Sequence, residues 1–219
     1  MNWVVAQKRA LEGPAETPVC RLRQLGEAVE QAGCWAVETI IHQFEEIPMT
    51  VLHDTHVPVT RAEVPWALAQ GALGGIAAGI IFAMFEMIVS AIMMGPEAFF
   101  MPLRMIGAIA LGPSALEPTY SLWAAGLAGL VVHMILAVIY GGAFALVFGG
   151  LRSAAADIGV GAAFGLALWL VNFYLIAPMA FPWFTEANPV VQFIAHTFFF
   201  GAVLGWYVWQ ARNRAELRP

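Results

Sequence analysis

The sequence predicts an all-α membrane protein: four transmembrane helices preceded by a cytoplasmic amphipathic helix. Three observations lead there. Of 219 residues, 60% are hydrophobic and 11% charged, against about 25% charged in an ordinary soluble domain. After Pro65 the apolar residues fall into four long runs, not the short alternating runs of transmembrane strands. The basic residues lie almost entirely to one side of those runs.

The first element lies within residues 1–65. The opening "MNWVVAQKRALEGPAETP" lacks the basic start, short apolar stretch and small-residue cleavage site of a signal peptide. From Val19 to Ile47, apolar residues recur at Leu22, Leu25, Val29, Ala32, Ala36, Ile40, Phe44 and Ile47. Steps of three and four predict an amphipathic helix, which Pro48 ends. Its polar face mixes both signs, unlike a basic membrane-surface helix. That favours packing on another helix, a sister subunit or a partner. Cys20 and Cys34 match no zinc or redox spacing and are expected to be reduced cytoplasmic thiols. "HVPVTRAEVPW" then reads as a short linker.

"IHQFEEIPMTVLHDTH" (Ile41 to His56) holds three of the five histidines. Glu38, His42 and Glu45 share a helix face, and His53, Asp54 and His56 follow, so a metal cluster of His42, Glu45, His53 and His56 is one reading. The stretch has neither the HExxH pattern of a zinc hydrolase nor the second Glu-x-x-His of a di-iron bundle. The other reading is a solvated helix end.

The bundle is expected over residues 66–210, with spans at about 66–94, 120–148, 158–181 and 190–209. Each reaches the roughly 20 apolar residues a bilayer demands. With no water available, their backbone groups must be paired within helices. Lys8, Arg9, Arg21, Arg23, Arg61, Arg152, Arg212, Arg214 and Arg218 fall on one side and Arg104 on the other, nine of ten basic residues. The positive-inside rule then places both termini, including a basic tail at 211–219, in the cytoplasm. Trp66, Trp206 and Trp209 suit one interface; Tyr120, Trp123, Trp183 and Phe184 suit the other. Between the first two spans, Phe99 to Leu111 reads as an interfacial or re-entrant helix bracketed by Pro96 and Pro113. Arg104 there could bind Glu97, Glu117, Glu86 or a lipid headgroup.

A repeat is visible. At an offset of 86, Gly75 to Pro96 matches Gly161 to Pro182 at six of 22 positions, with Glu86 opposite Asn172. At an offset of 63, His133 meets His196 and Gly142 meets Gly205. Two spans per copy predict a 2+2 bundle with a pseudo-twofold axis along the membrane normal. Small residues four apart, such as Gly71, Gly75 and Gly79, Ala137, Gly141 and Ala145, Gly161 and Gly165, and Gly201 and Gly205, let helices approach closely in lipid.

Inside the spans, Glu86, His133, Asn172 and His196 stand out, because ionisable groups at that depth face a bundle interior or a cavity. Three readings follow. They form a satisfied polar core, with Glu86 protonated or paired with Arg104. Alternatively, His133 and His196 are axial ligands of a haem b, or hold a metal ion. In the third, Glu86 and the histidines carry protons or a small solute. No Walker, Rossmann or G-x-S-x-G motif is present, and a net charge of −5 with no basic stripe argues against nucleic acid.

The closing "FPWFTEANPVVQFIAHTFFFGAVLGWYVWQARNR" (Phe181 to Arg214) resembles the end of YagU-like inner-membrane proteins, a family of unknown function. Pro182, Trp183 and His196 carry the resemblance: an outer "PW" turn, a span with a histidine near its start, then a basic tail. It covers mainly the last two spans. It implies an inner-membrane protein, tied to envelope or acid stress, and supplies no catalytic residues. The expected function is therefore non-enzymatic: an accessory, assembly or interaction subunit, embedded in the lipid bilayer and bound to a protein partner or to copies of itself.

Overall fold

The computed structural model describes residues 63–149 and 153–216. The expected amphipathic helix, Cys20, Cys34 and the cluster of His42, Glu45, His53 and His56 lie outside these residues. Helices α1 (Val64–Met94), α2 (Met101–Leu111) and α3 (Leu122–Phe148) come first. The third span is α4 (Ala154–Leu170), a π-helical segment (Val171–Ile176) and α5 (Ala177–Ala180). The fourth is α6 (Pro189–Ile194), a second π-helical segment (Ala195–Ala202) and α7 (Val203–Glu216). Short 3-10 turns fill the loops, and no strand occurs among the described residues. Among the described residues, four helices are long and apolar enough to cross a membrane.

The helix ends follow from local chemistry. Pro65 and Pro189 sit in first turns, where a missing N–H costs nothing. Ser121 and Ser153 accept from Ala124 N–H and Ala156 N–H, and Asn188 accepts from Val190 and Val191 N–H. Gly95 and Gly112 end α1 and α2 at φ 104° and 84°, where a side chain would be strained. The third span starts at Ala154, ahead of the expected 158. The fourth continues past 209 to Glu216, so residues 211–216 of the expected tail are helical. Hydropathy marks the apolar run, whereas the helical hydrogen-bond ladder continues into polar sequence.

Two helical hairpins form the bundle, each joined through small residues. In the first, a Cβ on Gly75 would collide with the Ala137 carbonyl, and one on Gly141 with the Gly71 carbonyl. In the second, a Cβ on Gly161 would meet the Gly201 carbonyl, and one on Gly205 the Asp157 carbonyl. The backbones thus touch directly, as small-residue interfaces in lipid allow. Between hairpins, Phe85 stacks on Phe199 with ring centroids 4.0 Å apart, and Phe144 meets Phe164 at 5.4 Å. The core is Ala78, Phe82, Ala137, Phe144, Ala145, Ala195, Phe200, Leu204 and Val208.

The element expected from Phe99 to Leu111 is α2, and it packs on α3: Gly107 abuts the Ala125 carbonyl and Gly129 the Leu103 carbonyl. Arg104 holds the loop beyond it. Its Nε donates to Ala115 O at 2.7 Å, and its Nη2 donates to Glu117 O and Tyr120 O. Of the expected partners, Glu117 is met through its backbone carbonyl, while among the described residues Arg104 makes no bond to Glu86 or Glu97. Three loop carbonyls instead take up the directed donors of this guanidinium. Trp183 Nε1 donates to Met105 O at 3.1 Å, tying the second hairpin's loop to α2.

Candidate functional site

The bundle has a loop half, capped by α2 and the Pro182–Glu186 turn, and a terminal half, where α1 begins and α7 ends. Buried polar residues divide unevenly between them. Glu86, Ser90, His133, Gln192 and Thr197 lie in the loop half; among the described residues only Asp157 lies in the other.

Glu86 projects from α1 two turns beyond Gly79, where the four-residue glycine series ends. Seven residues bring it back to nearly the same helix face, so the carboxyl points into the bundle. Its side chain is 7% exposed. Oε2 accepts a 2.7 Å hydrogen bond from Gln192 Nε2, while Oε1 has no hydrogen-bond partner. Gln192 O in turn accepts from His196 Nδ1 at 2.8 Å. On α3, His133 Nε2 donates to Gly79 O at 2.8 Å, so this bond links the first two spans. A carbonyl only accepts, which fixes the protonated nitrogen in each ring as Nε2 of His133 and Nδ1 of His196. Phe82 joins the two imidazoles: it stacks on His133 at 5.4 Å and meets His196 edge-on at 4.8 Å.

The sequence-predicted residues are thus only partly gathered. Glu86, His133 and His196 come together around Phe82 and Gln192. Asn172 is half-buried in the π-helical segment of the third span; its neighbour Phe173 packs on His196 at 5.5 Å. Arg104 serves the loop instead. Gln192 is the residue that sequence reading misses. The available signal is its place one turn before His196, on a face that a neutral amide does not advertise.

Both imidazoles spend a nitrogen on backbone, and Phe82 covers part of each. A haem plane bridging them competes with Phe82 for the same ring surfaces. Among the described residues no group of three or more His, Cys, Asp or Glu side chains is placed to hold a metal ion. The arrangement is best at joining helices: spans one and two through His133, and spans one and four through Glu86 and Gln192.

A second polar cluster closes the terminal end. Asp157, fully buried in α4, accepts from Arg212 Nη2 of α7 at 2.7 Å, and Arg212 Nη1 donates to Gly149 O at the end of α3. One guanidinium therefore ties three spans. Sequence reading puts Asp157 just outside the third span and Arg212 in a tail, so it does not pair them. No protein-family model, curated protein or solved structure matches the chain.

Proposed function

We propose that the chain is a non-enzymatic, multi-pass protein of a bacterial-type inner membrane, acting as an accessory, assembly or interaction subunit with its termini in the cytoplasm. One observation carries this reading. The terminal half is filled by Phe144, Phe164, Phe200, Leu204 and small residues, so among the described residues no polar route runs from Glu86 to the Asp157–Arg212 pair. Two of the intramembrane polar contacts join helices: His133 to Gly79, and Gln192 to Glu86. The amphipathic helix expected from Val19 to Ile47 and the apolar outer faces of the spans are the surfaces left for a partner or a second copy. Kinship with YagU-like proteins belongs to the same proposal.

The hairpin contacts support a 2+2 repeat. Gly75 approaches Ala137 and Gly141 as Gly161 approaches Gly201 and Gly205. On that repeat, these contacts favour Gly141 opposite Gly205, where the sequence offset pairs Gly142. Gly141 and Gly205 are 64 residues apart, while His133 and His196 are 63 apart. The extra residue falls in the π-helical segment Ala195–Ala202, where an i→i+5 turn holds one residue more than an α turn.

The test is purification in mild detergent with an absorption spectrum and elemental analysis on the same sample. A colourless, metal-free protein that retains a stoichiometric partner in both wild type and Glu86→Gln supports the proposal. A Soret band lost in His133→Ala with His196→Ala sinks it in favour of haem. The unbonded Oε1 of Glu86 favours one second reading, proton handling. Its mark is a pH-driven flux in proteoliposomes that Glu86→Gln abolishes.

A further inference from the structure

The two hairpins meet along a seam whose ends are closed by different chemistry. At the loop end, two neutral side chains cross it. Gln192 Nε2 donates to Glu86 Oε2 at 2.7 Å, and Trp183 Nε1 donates to Met105 O at 3.1 Å. In the middle, Phe85 stacks on Phe199, and Phe144 meets Phe164. At the terminal end, the charged Arg212 crosses to Gly149 O while also holding Asp157.

The loop-end bonds lie close to water. Gln192 N–H bonds to Asn188 O, so Gln192 sits one helical turn, about 5 Å, inside the exposed Asn188. Trp183 is half-buried in the loop turn itself. Each of these neutral bonds can be exchanged for one to water at small net cost. The terminal clasp is charge-assisted, and breaking it strands the fully buried Asp157 carboxylate. The seam is therefore weakest at the loop end.

What lies beneath that end is Glu86. Ser90 follows it by one turn on the same side of α1 and donates to Ala98 O at 2.9 Å, so the chain that turns back at Gly95 is fastened over this side of the helix. The first hairpin also carries α2, through the contacts of Gly107 and Gly129. The second hairpin reaches this cover through Trp183, whose ring packs against Ala108, Ala115 and Ala125. The other titratable side chains facing into this half of the bundle are His133 and His196, each donating to a carbonyl. Arg104 is spent on its own loop.

We infer that the seam opens at its loop end, with Trp183 as the latch, and that opening brings water and its protons to the unbonded Oε1 of Glu86 from that side alone. Glu86 is then a one-sided proton-binding site. The inference does not rest on the proposed function, since access to Glu86 is measured without any partner and without any flux.

The experiment labels carboxyl groups of the full chain with a charged, membrane-impermeant carbodiimide and an amine, each site being read by peptide mass spectrometry. In sealed vesicles of one orientation, exposed Glu97 and Glu117 mark the loop side and exposed Glu216 the terminal side. Glu86 is expected to react slowly where Glu97 reacts, and not at all where Glu216 reacts. In detergent, where both ends meet the reagent, Trp183→Phe keeps a ring and removes the N–H. It should raise the Glu86 rate about fivefold, as losing one ordinary hydrogen bond from the closed state does, and leave the Asp157 rate unchanged. No reaction of Glu86 from the loop side in either chain overturns the inference, as does equal reaction from both sides. An unchanged Glu86 rate in Trp183→Phe overturns it too. So does an equal rise at Glu86 and Asp157, because Trp183 would then support the whole fold and not one end of the seam.

Discussion

The two hairpins share a joint and differ beside it. In the first, α1 and α3 are regular from end to end, and His133 bonds across to Gly79 of the other helix. In the second, both spans carry a π-helical segment, and His196 bonds to Gln192 of its own helix. Backbone contact between glycines supports both hairpins, so neither needs its histidine to hold together. What differs is how each spends its polar groups. The regular hairpin uses its imidazole as a cross-link, while the π-distorted one presents Gln192 to Glu86 in the neighbouring hairpin.

The largest expected effects break the shared joint. Gly75→Leu and Gly161→Leu should each destabilise the bundle by about 3 kcal/mol or more, since the new side chain meets a carbonyl that cannot move aside. Unfolding by sodium dodecyl sulfate in mixed micelles reads this directly. Gly159→Ala, with open space around it, should shift stability by less than about 1 kcal/mol. If Gly75→Leu were tolerated and Gly161→Leu were not, the hairpins would not share a joint.

Next comes the clasp at the terminal end. Asp157→Ala leaves Arg212 without its carboxylate, and the same unfolding assay should show a loss of about 2 kcal/mol, discounted for the partly exposed arginine. Smaller again is Gln192→Leu, which leaves both oxygens of Glu86 unbonded, at about 1–2 kcal/mol. Adding Glu86→Leu to it should recover most of that loss, because removing both partners removes the unsatisfied group. The smallest effect separates the histidines. His133→Phe should cost about 1 kcal/mol and His196→Phe less, since only His133 joins two helices.

Much of the fold was legible in the sequence because lipid makes hydropathy decisive. The four spans, the helix before Leu111 and the small residues four apart all follow from period and composition. The polar contacts were less legible. Glu86, His133 and His196 were visible as costly residues in apolar runs, yet their partners were a neutral amide and two carbonyls, which carry no such signal. Arg104 and Arg212 count in the sequence only as charges on a side of the membrane. Their structural use depends on loop carbonyls and on Asp157, which only three-dimensional packing brings to them. The π-helical segments were invisible too, since one added residue changes no composition.

The central claim is that the chain works through a protein partner or another copy of itself. Native mass spectrometry of protein released directly from membrane vesicles tests it most directly. The account predicts a discrete complex heavier than the 23.7 kDa chain, with the same stoichiometry in Glu86→Gln. A chain released alone, whose proteoliposomes pass protons only when Glu86 is intact, would contradict it.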